Sequence, residues 1–323
     1  MCLICSNIIV VNAYSVLMSD NTNIKIDDSR NITLAVPLVS DEFKKVQKYE
    51  TIHNRTSDFL LFTLVNKAYL NLTCNWLCNV AEFENDIIAR TLIVSLDSNI
   101  CLTIAKQWPE VECIIFNSTD EYNQPLKWGH QDYINILTLR MQLMRILADI
   151  PFVLFETDAS WLRNPMEFFN NQTLVDDADI VVPIKGYLDK GQTYTFDPMI
   201  VYPTSSSKML FQLMETRLLA NSKLFDQDLL DDLCRTQYNG VICRQFEWND
   251  IADGKWFKLA ESERSNIRPY VVNNNYYVGV TNKASRQALN GLWFLSPRGI
   301  CIRSKVKNML KKYSSSENSS AKN

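Results

Sequence analysis

Short runs of apolar residues alternate with amphipathic stretches along most of the chain, and this alternation constrains the fold more than any other feature. The runs fall at residues 59–65, 91–96, 111–116, 151–155, 179–182 and 199–202. They are continuously apolar rather than alternating, as expected of strands covered on both faces. Between them, helical spacing is readable over 67–83, to Lys106, and over 207–220 and 226–233. The clearest helix spans 133–149, where Ile136, Leu137, Met141, Met144 and Leu147 form a broad apolar face. Strand–helix–strand order of this kind predicts an α/β domain built on a mostly parallel central sheet. No linker interrupts it, so one large domain is expected over residues 58–300.

Composition narrows the chemistry. The 323 residues carry 33 basic and 36 acidic side chains, a net charge of −3, so no bulk basic field points to nucleic acid. Eight glycines, none spaced as G-x-G, exclude the dinucleotide fingerprint and the P-loop. With only His53 and His130, an H-E-x-x-H zinc site is excluded. What remains is chemistry by carboxylates, bases other than histidine, and an oxygen-liganded metal.

The ends and the cysteines bear on compartment. Residues 3–18 are apolar but short for a membrane span, which needs about 20 residues, and they lack a basic leader. Two readings stand: an eroded signal-anchor within a leader and stem at 1–30, giving single-pass type II membrane attachment through the N-terminus, or the first strand or helix of the fold. Residues 31–57 read as an N-terminal extension and 301–323 as a polar, frayed tail. Six N-x-[ST] sequons, at Asn31, Asn54, Asn71, Asn117, Asn171 and Asn318, barely favour a secretory route. Of nine cysteines, Cys74 and Cys78 share one helix face, an awkward geometry for a bridge. Cys101, Cys113, Cys234, Cys243 and Cys301 can supply one or two disulfides in an oxidising lumen or remain buried thiols, and no pairing is readable.

The informative segment is 152–165, where an apolar strand runs directly into Glu156-Thr157-Asp158 and then Trp161-Leu162-Arg163-Asn164-Pro165. Carboxylates at i and i+2 project to one face, here from the carboxyl end of a strand, the edge of an α/β sheet where ligands sit. Two converging carboxylates repel unless a cation lies between them. A hard divalent ion, Mn²⁺ or Mg²⁺, would resolve this and bridge to a diphosphate. The plainer alternative is a pair of solvated loop carboxylates. An acid/base pair for glycoside hydrolysis fits poorly, because two side chains one residue apart can hardly flank a bond from opposite sides at the ~5–9 Å required.

With Arg140 on the preceding helix, this segment resembles the nucleotide-diphospho-sugar transferase domain, a group of GT-A-type glycosyltransferases that includes plant xylosyl- and arabinosyltransferases and related α-galactosyltransferases. Residues 64–69, 75–77 and 92–97, the pair Asp226-Gln227, and the stretch from Val272 to Leu295 with Gly279, Lys283 and Arg286 look like further family segments. The resemblance implies a GT-A-like, Rossmann-type three-layer sandwich. It also implies transfer of a sugar from a UDP-linked donor to a hydroxyl of a glycan or glycoprotein, with retention of configuration, in the Golgi or secretory lumen. By position, it implies Glu156, Asp158 and Asn273 as metal ligands. Asp97, Arg140, Lys283 and Arg286 fall at donor-binding positions, and Asp158, Asp226 and Gln227 around the reacting sugar. Three departures stand out: Glu156 replaces an aspartate, Asn273 a histidine, and 195–199 (Thr-Phe-Asp-Pro-Met) a segment with asparagine and glycine. They raise an alternative, a catalytically inactive protein of the same fold that binds nucleotide sugar or carbohydrate.

Overall fold

The computed structural model of the protein describes residues 8–11, 59–84, 86–116, 125–127, 129–170, 177–184 and 194–314. In chain order its elements begin with β1 (Ile8–Val11), β2 (Leu60–Val65), α1 (Leu70–Val80), β3 (Thr91–Ser95), α2 (Ser98–Gln107), β4 (Glu112–Phe116) and α3 (Gln131–Leu147). The middle of the chain forms β5 (Phe152–Leu154), β6 (Ser160–Trp161), α4 (Met166–Phe169), β7 (Ile180–Pro183), β8 (Met199–Val201), α5 (Ser205–Ala220) and α6 (Asp226–Arg235). Then come β9 (Cys243–Phe246), β10 (Ile251–Ala252), α7 (Glu261–Asn266), β11 (Val271–Val272), α8 (Val280–Leu289) and α9 (Arg303–Ser314).

Eight strands form the central sheet in the order β1-β4-β3-β2-β5-β8-β7-β9. Only β8 runs against its neighbours; every other pair is parallel. The apolar runs are continuous because each strand feeds two cores. Leu60, Phe62, Leu92, Val94, Phe152 and Leu154 join one cluster under α3, α5 and α6. Leu61, Ile93, Val153 and Phe155 join the other, against α1 and α2. That is a three-layer α/β sandwich. A second sheet of three short strands, β10-β11-β6, lies at the carboxyl edge of β5 and carries the chain past the ligand-facing side.

Local chemistry sets the element ends. Asp97 caps α2 by accepting from the Asn99 amide at 2.7 Å, and Thr204 with Ser207 closes a capping box on α5. The stretch expected to be helical from residue 67 starts as a 3₁₀ turn, Lys67–Tyr69, before α1. Within the apolar leader, Ile8–Val11 pairs in parallel with β4, which is the strand reading; the rest of that leader, residues 31–57, Cys2, Cys5 and five of the six sequons fall outside the described residues. Asn71 is exposed at the start of α1.

Two expectations need correction. The polar tail from residue 301 is in part structured: α9 buries Val306, Met309 and Tyr313 in the second core, because these residues repeat with helical period. The described cysteines form three bridges rather than one or two: Cys78–Cys301, Cys101–Cys113 and Cys234–Cys243. Cys78 finds its partner across the fold, leaving Cys74, one turn away, as a buried thiol. None of the described helices is long and apolar enough to cross a membrane.

Candidate active site

Past β5 the chain leaves the sheet, with Phe155 stacked on Trp76 at 4.1 Å between ring centres, Trp161 edge-on beside it, and Ala159 N–H donating to the Glu156 carbonyl. This turn aims Glu156 and Asp158 into one cavity of about 400 Å³, which Arg140, Asp197, Asp226, Gln227, Asn273 and Tyr276 also line. Asp158 is buried and Glu156 partly open.

A third carboxylate joins them. The antiparallel register of β5 and β8 pairs Leu154 with Met199, so two residues on from Leu154 and two back from Met199 it brings Asp197 opposite Glu156. There Asp197 Oδ1 accepts the Glu156 amide at 2.7 Å, with Asp197 in the left-handed region at φ 65°, uncommon for a non-glycine residue though more accessible to aspartate than to most. One oxygen each of Glu156, Asp158 and Asp197 lies within 4.8 Å of the others.

Two cations answer this charge. Arg140 reaches Glu156 at 3.1 Å and also grips Asp226, with its guanidinium 4.8 Å from the Phe196 ring centre. Lys283, on the first turn of α8, pairs with Asp158. Four carboxylates thus meet two cations and leave two negative charges, which one divalent ion would cancel. Burial, reinforced by Glu156 and Asp158, pushes Asp197 well above the ordinary carboxylate value. Burial likewise raises Asp158, against the pull of Lys283. Burial alone would lower Lys283, yet Asp158, Tyr69 and Glu156 outweigh it, so the proton is secure on the amine. The unfavourable side of that pair is Asp158. Burial also raises the Tyr69 hydroxyl to about 12.

Asn273 tests whether a cation fits. It follows β11, donates its amide to the Asp197 carbonyl, and leaves Oδ1 buried with no hydrogen-bond partner. An unpartnered buried amide oxygen costs free energy, and hard cations take such oxygens together with carboxylates. The residues present therefore fit a hard divalent ion.

The other expected positions divide. Asp226 lines the cavity, and one of its oxygens accepts the Gln227 amide at 2.8 Å. Gln227 also lines it, but its side chain accepts from Phe196 N at 3.2 Å and donates to the Tyr194 carbonyl, so it clamps the segment carrying Asp197. Asp97 is buried, caps α2 and does not reach the cavity lining. Arg286 is turned inward: Nε donates to Asn274 Oδ1 at 2.6 Å and Nη2 to the Asn275 carbonyl at 2.8 Å, between the Phe257 and Tyr277 rings. It braces the loop that carries Asn273 instead of facing a diphosphate. Asp197 enters the sequence reading only within the departing 195–199 run, 274–276 only within a family-like stretch and Tyr133 only as the first residue of a helix, none with a site role, yet all line the cavity. The register of a Pro-preceded strand beside β5 is the signal for Asp197.

A mostly parallel sheet with a charged crevice at its carboxyl edge places the cavity where open α/β folds take their ligands. Residues 86–287, more than half of the chain, match the nucleotide-diphospho-sugar transferase family, and the chain belongs to it; this is a glycosyltransferase family of GT-A type. The chain is 22% identical over 268 residues to an arabinosyltransferase of Arabidopsis thaliana, covering 74% of this chain but 40% of that protein. It is also 22% identical over 257 residues to the UDP-D-xylose:L-fucose α-1,3-D-xylosyltransferase 1 of the same plant, covering 73% of this chain and 70% of that one. Among solved structures, a galactosyltransferase in complex with donor and acceptor sugar analogues superposes with a TM-score of 0.49 at 11% identity, over 76% of this chain and 99% of that one. A glycosyltransferase of Streptococcus pneumoniae does so with a TM-score of 0.45 at 11% identity, over 78% and 63%.

Proposed function

We propose that the protein transfers a sugar from a UDP-linked donor to a hydroxyl of a glycan or glycoprotein, with retention of configuration and with a divalent cation, Mn²⁺ or Mg²⁺, bound by Glu156, Asp158 and Asn273. The observation that carries this is the unpartnered, buried Asn273 Oδ1 beside three carboxylates in a single crevice. Breaking the anomeric C–O bond builds negative charge on the departing diphosphate and positive charge on the sugar, and groups already aimed at those charges stabilise the transition state most. A bound divalent cation would supply Lewis-acid stabilisation of the diphosphate. Lys283 adds positive charge from α8, Arg140 holds Glu156 and Asp226 in place, Asp226 faces the donor sugar from the cavity wall, and Gln227 holds the segment that carries Asp197. The UDP-xylose donor named for one Arabidopsis relative supports the choice of nucleotide. Three disulfides support an oxidising compartment, the Golgi or secretory lumen, with membrane attachment through the N-terminus and a catalytic domain that starts at about residue 58 and includes α9.

The test is release of UDP from a panel of UDP-sugars with and without Mn²⁺. Turnover should require the ion, and Asp158→Ala should lower it about 10²–10³-fold, the range for removing one electrostatic stabiliser. Undiminished activity in that variant removes the metal role. The inactive reading has one observation in its favour, the engagement of both polar ends of Gln227 by backbone. Calorimetric UDP and Mn²⁺ binding without turnover of any donor would decide for it.

A further inference from the structure

A second charged region lies away from the crevice. From Arg264 to Ser316 the sequence holds ten lysines and arginines and no aspartate or glutamate, in a chain whose overall charge is −3. Lys283 is engaged by Asp158 and Arg286 by the loop at 274–275. Arg264, Arg268 and Lys312 line a separate cavity of about 290 Å³ where α7, the end of α8 and α9 meet, with Glu261, Leu289, Asn290 and Tyr313. Its one acid, Glu261, faces Lys312 at 3.6 Å. Arg264 is fixed by a 2.5 Å bond to Asn290 Oδ1 and by the Trp256 ring, 5.3 Å away, yet its Nε is buried without a hydrogen-bond partner. From this cavity the exposed side of α9 continues the charge: Lys305 and Lys312 form one row, and Arg303, Lys307 and Lys311 a second at i, i+4 spacing. Glu82 meets only the start of the second row, at 3.4 and 3.6 Å.

We propose that this edge binds an acidic polysaccharide, a glycan whose successive units carry carboxylate or sulfate groups. Guanidinium forks suit such oxyanions, and a row of cations suits a chain with repeated negative charge better than a single ion. The cavity holds about ten water volumes, room for a sugar-sized group. Leu289, 88% exposed on its rim, offers an apolar edge for the carbon face of a sugar. The placement fits an acceptor: α8 carries Lys283 in the crevice and Leu289 at the cavity, ~9 Å further along its axis. The choice of a glycan over another polyanion rests on the glycosyltransferase reading.

Binding of the full chain to polygalacturonate, heparin, dextran and polyglutamate tests this, without donor or metal, over a range of salt. Polygalacturonate or heparin should bind, weakening steeply as salt rises, and the better of the two identifies the anionic group. The exposed double variant Lys305→Glu/Lys312→Glu should weaken binding at least 10-fold with an unchanged melting temperature, Arg264→Gln should act in the same direction, and both should leave UDP-sugar hydrolysis unchanged. Equal binding of dextran, tighter binding of polyglutamate, or an unaffected double variant overturns the proposal. Hydrolysis is read separately, so failure here is distinct from failure of the transferase reading.

Discussion

At the scale of single residues, the crevice crowds the carboxylates of Glu156, Asp158, Asp197 and Asp226 around two cations, Arg140 and Lys283. Asp158 and Asp197 both sit above the ordinary carboxylate value of 3.8, so the folded chain keeps protons that the unfolded chain releases. Their contribution to stability is therefore full below pH 3.8 and is lost as pH rises through the folded values. The metal-free protein should melt at a lower temperature as pH is raised across that window. Asp197→Asn keeps the acceptor for the Glu156 amide and removes a charge, so it should raise the metal-free melting temperature at neutral pH. The same variant should shrink the increase caused by Mn²⁺, since an ion that binds only the folded state stabilises in proportion to its affinity. Scanning fluorimetry with and without the ion reads both, and an unchanged Mn²⁺ response removes Asp197 from the site. Glu156 and Asp158 were legible because strand, acidic pair and Trp-Leu stand contiguous in sequence. Asp197 was not, because its place is set by pairing of β8 against β5, a contact that spans some forty residues of chain.

At the scale of elements, the strands buried on both faces were readable to within a residue or two, whereas the two-residue strands β6, β10 and β11 were not: they are too short to show a period. Yet that small sheet positions the asparagine loop. Arg286 braces the loop from α8 through Asn274, and Gly254 allows it to close, with Gly254 N donating to Asn275 Oδ1 at 2.5 Å. A Cβ on Gly254 would collide with the Asn275 carbonyl, a backbone atom that yields only if the loop moves. Gly254→Ala should therefore shift Asn273 and lower kcat about 10²-fold, the cost of roughly 1 Å of misplacement, with the melting temperature changed much less. Steady-state UDP release beside a melting curve separates the two effects; full activity would mean that the loop position does not govern the site. α9 shows the opposite limit of sequence reading. Val306, Met309, Leu310 and Tyr313 carry helical spacing, but lysine-rich surroundings make the segment look like a solvated tail.

At the scale of the whole molecule, the fold is closed by covalent bonds that no local pattern reveals. Cys74 and Cys78 share a helix face, and only Cys78 meets a partner, Cys301, just ahead of α9. Cys78 bonds Cys301 across 223 residues, tying α1 to the C-terminal segment. Cys234–Cys243 spans nine. If disulfides act chiefly by restricting the unfolded chain, the long bridge is worth ~5 kcal/mol and the short one ~2.6 kcal/mol at 25 °C. The double variant Cys78→Ser/Cys301→Ser should then unfold at distinctly lower urea concentration than Cys234→Ser/Cys243→Ser, with both below the parent. Cys74 does not confound the comparison, since burial raises its thiol to about 11 and leaves it little thiolate for exchange. Equal urea midpoints in the two variants would show that local packing of α9 against α1, rather than chain closure, is what the bridge secures.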